Sequence, residues 1–226
     1  MGILNPDSLS LTLDAINDII FYGHSITNSE RKEVAKWIAG RQGKSGSYAK
    51  MFAPTERDFK EGIRLFTGER VHSRAAIGHI LGEEACRALI LLDLKDEGVQ
   101  DALKRASLGI MSRIDLSKRT PGMYCCGTCS ASLWRHLAVG GLKDPKRGLE
   151  KGMEALKLHR DGNGKWKRFP FYYTLLALSE IELPSAIFEM KYAAPILSRL
   201  LKRTPKDDKI SEHRRVLVER IFEKTG

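Results

Sequence analysis

The sequence predicts an all-α fold of helical hairpins in series. Three observations carry that reading. Apolar residues recur at helical spacing along nearly the whole chain. Gly and Pro punctuate the intervals between those stretches. Alternating runs of β-branched residues, the signature of strands, are scarce.

Taken in order, Leu9, Leu13, Ile16, Ile19 and Ile20 mark a first helix. Asp7 or Ser8 is its expected N-cap, because a short oxygen-bearing side chain there satisfies a backbone N–H that lacks a helical partner. Asn28 or Ser29 is expected to cap a second helix carrying Val34, Trp37 and Ile38. Further helices are expected over 55–66, 73–81, 83–94, 98–113, 128–139, 145–159, 171–181, 184–202 and 210–223. Breaks fall at Gly43/Gly46, Gly68, Pro121/Gly122, Gly140/Gly141, Gly162/Gly164 and Pro184. No stretch of flexible-linker composition divides the chain, so residues 1–226 read as one domain.

The 226 residues are 42% hydrophobic and 29% charged, which is ordinary for a globular protein and excludes a disordered, collagenous or disulfide-dense chain. No stretch reaches the ~20 apolar residues of a membrane span. Asp7, Asp14 and Asp18 interrupt any signal-peptide core, so a cytoplasmic location is expected. The net charge is +10 and the pI about 9.5. A basic surface can bind nucleic acid by releasing counterions from phosphates. Here, however, the charges are spread. The C-terminal group of Lys202, Arg203, Lys206, Lys209, Arg214, Arg215, Arg220 and Lys224 is interleaved with Asp207, Asp208, Glu212, Glu219 and Glu223. That pattern is a solvated amphipathic helix with partners one turn apart, not a nucleic-acid footprint.

One pattern recurs: helix, Gln or basic residue, Gly-rich turn, Gly-x-aromatic, helix. It runs through Trp37-Ile38 to Gln42, Gly46 and Tyr48, through Arg113 to Gly122 and Tyr124, and through Lys151-Gly152 to Arg160, Gly164 and Trp166. A weaker echo begins at Leu65-Phe66-Thr67-Gly68. Tyr124 and Trp166 are 42 positions apart, and Tyr48 and Tyr124 are 76 apart, close to twice that period. A period near 40 suits a helical pair plus its turns.

These segments resemble the QW motif of terpenoid cyclases, with Tyr48 and Tyr124 in place of Trp, Ala155 in place of the motif's aromatic and Arg160 in place of Gln. The resemblance extends over roughly 30–180 and to the protein prenyltransferases. It implies an α/α toroid: a single ring of about five to six helical hairpins, closed or incomplete, around a central cavity. It does not carry the chemistry. The acidic Asp-x-Asp-Asp proton donor of squalene-type cyclases is absent, as is the Asp-x-Cys zinc pair of protein prenyltransferases. In such a fold Gly permits the reversal between helices, Gln or Arg can bond open carbonyls at a helix end, and the aromatic ring covers the turn.

Three clusters could carry chemistry. Tyr124-Cys125-Cys126-Gly127-Thr128-Cys129 holds three of the four cysteines. Cys126-x-x-Cys129 stands at an expected helix start, where the dipole lowers a thiol pKa. It reads as core packing, as a redox pair or as half of a zinc site, with His136 and Cys86 as the available further ligands. His79 and Glu83 share a helical face and could pair or chelate. Arg87 competes for Glu83, and ion pairing on a helix surface is expected. Asp161-Gly162-Asn163 resembles the start of a calcium loop, but Tyr172 stands where the closing Glu belongs. The dense aromatics Trp166, Phe169, Phe171, Tyr172 and Tyr173 follow.

The functional expectation is a protein that binds a small, largely apolar, prenyl-like ligand in a central cavity, without cyclase chemistry. Its expected lining is Tyr48, Tyr124, Cys126, Cys129, His136, Trp166, Phe171, Tyr172 and Tyr173. The alternatives are a helical-repeat scaffold with a basic surface, and a metal- or thiol-dependent enzyme centred on Cys125–Cys129. No cofactor is favoured; zinc is the candidate.

Overall fold

The computed structural model describes residues 2–115, 121–202 and 208–226. Among the described residues ten helices run in chain order: α1 Leu9–Tyr22, α2 Asn28–Ala39, α3 Glu56–Glu61, α4 Arg74–Leu92, α5 Glu97–Asp115, α6 Gly127–Ala138, α7 Pro145–Lys157, α8 Phe171–Glu180, α9 Pro184–Leu201 and α10 Lys209–Thr225. A 3-10 turn, Tyr48–Lys50, and an antiparallel pair, β1 Ile63–Arg64 with β2 Arg70–Val71, complete the regular structure described. The all-α class follows. No helix among the described residues is long and apolar enough to cross a membrane. Arg203, Lys206 and Asp207 of the charged C-terminal stretch lie outside the described residues.

The chain divides into two compact units. Unit 1 is Met1–Leu65, Arg70–Ser117 and Val139–Lys143; unit 2 is Phe66–Glu69, Lys118–Ala138 and Asp144–Gly226.

Unit 1 is organised on α4, which packs against α1, α2, α3, α5 and the 3-10 turn. Every residue from Ile77 to Leu89 is buried. The two helices expected over 73–81 and 83–94 are therefore one. Its Gly82 is a packing glycine, since a Cβ there would stand 2.7 Å from the Met51 side chain. α2 and α5 bury one face each; in α5 this is Val99, Ala102, Ala106 and Ile110, at helical spacing. The helix expected over 55–66 stops at Glu61, because the chain turns at Gly62 into the β1–β2 hairpin. Ser8 caps α1. The cap of α2 is Thr27, one residue before the expected Asn28, because Glu30 three residues on closes a capping box with it.

Asp58 ties the start of α1 to the start of α3 in unit 1. It is 2% exposed. Its carboxylate accepts from Ser8 Oγ at 2.6 Å, Leu9 N at 3.0 Å and Thr55 N at 2.8 Å. It thereby satisfies free N–H groups at the starts of α1 and α3.

Unit 2 is organised on α8, which packs against α6, α9 and α10, while α7 packs on α6 and α9. Tyr173–Leu178 in α8 and Cys129–Leu137 in α6 are buried without a break. α7 is amphipathic, burying Leu149, Gly152, Met153 and Leu156. Buried Arg135 in α6 reaches Glu180 through Nε at 2.8 Å and Nη2 at 2.9 Å. α10 buries His213, Leu217, Val218 and Ile221, and turns Arg215 toward Glu212 and Glu219 in solvent, as its charge pattern predicts. The segment Phe66–Glu69 is held in unit 2: Phe66 stacks on His213 with centroids 4.1 Å apart. Arg214 Nε donates to Thr67 O at 2.8 Å, and Glu69 accepts the N–H of Tyr173 at the start of α8 at 3.0 Å.

Replacing Asp58 with Ala is expected to cost about 2–4 kcal/mol, since several buried donors lose their acceptor at once. Urea denaturation followed by circular dichroism measures it; a loss below about 0.5 kcal/mol would contradict the assignment.

Candidate functional site

The segment from Pro121 to Ser130 leads into α6, and its shape is fixed by close packing. Gly122 has φ +85, and a Cβ there would meet Lys151 O of α7 at 2.1 Å. Its carbonyl accepts from the Trp134 indole N–H at 2.9 Å. The Tyr124 N–H donates to Ser130 Oγ at 2.9 Å, and that hydroxyl donates to Cys126 O at 2.8 Å. Gly127, the first residue of α6, admits no side chain because Arg168 O would lie 2.3 Å from its Cβ.

All three cysteines are free thiols; Cys125 and Cys126 are exposed and Cys129 is buried. The sulfur atoms of Cys125 and Cys129 lie within 4.8 Å of each other. Cys126 sits among them as the acceptor. Hydrogen bonds from the Cys125 thiol first, then from the Cys129 thiol, hold it well below the ordinary thiol range. Burial opposes the shift, and the Cys129 and Thr128 N–H groups at the helix start reinforce it. Cys129 moves the opposite way, pushed up by its bonds to Cys125 and Cys126 and by burial. Both shifts share one cause, the hydrogen bonds among the three thiols, which favour ionisation at Cys126 over Cys129, as suits a metal-ligating or nucleophilic sulfur.

The remaining predicted residues fall out differently. His136 is buried in α6, two helical turns beyond Cys129, about 10 Å along the axis. Cys86 lies in α4 of unit 1; burial first, then Glu83, push its thiol well above the usual range, as for a small apolar packing residue. Tyr124 is buried beside the cysteines, with its backbone bound to Ser130.

Two of the Gly-rich turns are pinched by an antiparallel bridge, Gln42 with Phe52 and Arg160 with Trp166. Gln42 Nε2 donates to Lys50 O at 2.8 Å, the helix-end role expected of it. Arg160 instead grips Glu189 of α9, through Nε at 3.1 Å and Nη2 at 2.9 Å. The Trp166 indole N–H donates to the same carboxylate at 2.8 Å. Glu189 is thus the keystone of this turn, and periodicity gave no sign of it. The only trace is one acid on the apolar face Ala186, Met190, Ala193. Asp161 folds its own loop, accepting from the N–H groups of Asn163 and Lys165, and those two bonds lower its pKa.

The aromatic cluster is largely engaged. Tyr173 is buried and lies under Arg135, Tyr172 lies under Arg214, and Phe171 faces Lys165. In unit 1 the Tyr48 ring stacks on His79 at 4.7 Å. His79 Nε2 stands 3.5 Å from Glu83 Oε1 with both side chains buried, so this pair is interior and not on a helix surface as expected. Arg87 Nη1 donates to Asn17 Oδ1 at 2.9 Å.

Comparison with known proteins finds no family, no curated relative and no solved structure that matches the chain.

Alkylation should single out Cys126. Its rate with iodoacetamide is expected to stay nearly flat from pH 8 to pH 6, because the depressed thiol is already ionised. A free thiol of pKa about 8.5 slows almost tenfold per pH unit over that range. Peptide mapping of the modified chain reads this, and an ordinary slope at Cys126 contradicts it. Separately, Glu189→Ala is expected to lower stability by about 2–3 kcal/mol in urea melts, with Glu189→Gln milder because the Trp166 bond survives.

Proposed function

We propose that this chain is a thiolate metal-centre protein, in which Cys125, Cys126 and Cys129 supply three sulfur ligands to a zinc-class divalent cation. The observation that carries the reading is the approach of the Cys125 and Cys129 sulfurs to within 4.8 Å of each other at the start of α6, with hydrogen bonds from both thiols holding the Cys126 thiol below its ordinary range. A dithiol redox pair needs two sulfurs; a tetrahedral metal uses three or four. Thiolate ligands must be deprotonated, and a cluster that already keeps one thiol ionised lowers the proton cost of metal entry. Zinc matches a sulfur-rich donor set, and the fourth ligand comes from outside these three cysteines. Cys125 and Cys126 are exposed, which gives small molecules access to the centre.

For the scaffold, we propose α/α hairpins of the kind found in terpenoid cyclases and protein prenyltransferases. Two features support it. Helices buried over long runs (α4, α6, α8) alternate with helices that bury single faces (α2, α5, α7, α9). Two of the three QW-like turns also place their Gln or Arg in an antiparallel bridge, Gln42 with Phe52 and Arg160 with Trp166. With Trp166 and Tyr173 committed to Glu189 and Arg135, the cysteine cluster is the stronger basis for function than an aromatic-lined apolar cavity.

Protein purified under reducing conditions without chelator is expected to carry about one zinc per chain, read by elemental analysis. Cobalt exchange should give thiolate-to-metal charge-transfer absorption. Cys126→Ser should weaken metal binding at least about tenfold in competition with a chromophoric chelator, as loss of a ligand requires. Absence of both metal and charge-transfer absorption, in protein whose thiols are reduced, overturns the reading. Formation of a Cys126–Cys129 disulfide by metal-free protein under a glutathione buffer would replace it with a redox one.

A further inference from the structure

Unit 1 contains a cavity of about 660 Å³ between the 3-10 turn and α5. Its charge is one-sided. Lys50, Arg105 and Arg113 line it, together with Gln42, Ser47 and Ser112, and no carboxylate is among the lining residues. Three cations converging on one concave space raise the local concentration of anions and favour a multiply charged one. Two of the three are guanidinium groups, whose planar donor fork matches phosphate oxygens. Arg105 is held in place by its Nε–H bond to Gln42 Oε1 at 2.7 Å.

The backbone here is strained in a way that shapes the cavity. Ala49 and Lys50 are consecutive non-glycine residues with φ +50 and +57, the left-handed region that costs about 1–2 kcal/mol for each side-chain-bearing residue. Two contacts enforce that geometry. Gln42 Nε2 binds Lys50 O, and α5 presents Gly109, where a Cβ would stand 1.9 Å from Ala49 O. These contacts hold Lys50 at the cavity edge against that energetic cost. Leu108, 56% exposed, forms an apolar part of the wall. A space of this size suits a ligand with a body as well as a charged head.

We propose that this cavity binds a small organic phosphate carrying at least two negative charges and an apolar or planar body. The charged head would sit among Lys50, Arg105 and Arg113, and the body against Leu108. The proposal is independent of the cysteine centre, which belongs to unit 2.

Calorimetric titration of the full chain at about 0.1 M salt tests it, where surface attraction is screened beyond about 10 Å. The probes are inorganic pyrophosphate and adenosine triphosphate. Saturable binding of both is expected, tighter for the nucleotide because of its body. Arg113→Gln should weaken nucleotide binding at least about tenfold, the loss of one charge-assisted contact. Lys50→Gln should do the same, so a folding defect in one variant leaves the other to decide. Leu108→Asp should weaken the nucleotide more than pyrophosphate. The exposed pair Lys146→Ala/Arg147→Gln on α7 should change neither. Absence of saturable binding overturns the proposal. Equal losses in the α7 control, or tighter binding of a single-stranded RNA with the same sensitivity to Arg113, also overturn it.

Discussion

A helix end or turn removed from water must find partners for its backbone and side-chain donors, and in this chain buried and half-buried carboxylates supply them. Asp58 in unit 1 receives the starts of α1 and α3. Glu69 and Glu189 in unit 2 receive the start of α8 and the turn around Trp166. Each acid meets donors brought from separate parts of the chain, so each fixes tertiary geometry as well as one helix terminus. An apolar residue could fill the same volume but could not satisfy the donors, and the elements would part to reach water.

This explains which parts of the architecture can be read in the sequence. Helix class, order and most boundaries follow from local rules: apolar spacing, a capping oxygen, a glycine after the last turn. The start of α1 at Ser8 and the amphipathic run of α10 are of this kind. The α2 start moves by one residue because a reciprocal bond from Glu30 outcompetes its neighbours. The unbroken α4 is less legible, because Gly82 looks like punctuation until Met51 is seen against it. The cysteine cluster is compact in sequence and therefore visible there. The clamp of Arg160 and Trp166 by Glu189 is not, as its acid lies 29 and 23 residues away. The cations of the unit 1 cavity come from two separate segments, so composition shows their number and hides their convergence.

The three thiols illustrate how position sets chemistry among identical side chains. They share one short stretch, yet one ionises easily, one resists ionisation and both effects have the same origin. A hydrogen bond that stabilises the thiolate of Cys126 needs a neighbour that keeps its proton. Gly122 and Gly127 make this arrangement available by allowing backbone approaches that no side chain would permit. Small residues thus position the sulfurs, and the sulfurs set one another's charge.

The seat of Phe66–Glu69 on α8 and α10 bears on how the protein is made. His213 and Arg214 each meet a backbone carbonyl 147 residues earlier in the chain. Phe66–Glu69 therefore wait for α10, about 140 residues later in synthesis, before these contacts can form. Most of unit 1 can condense while the ribosome is still at work, since its last piece ends at Lys143. Unit 2 reaches its native contacts only when α10 has emerged, so its maturation follows that of most of unit 1.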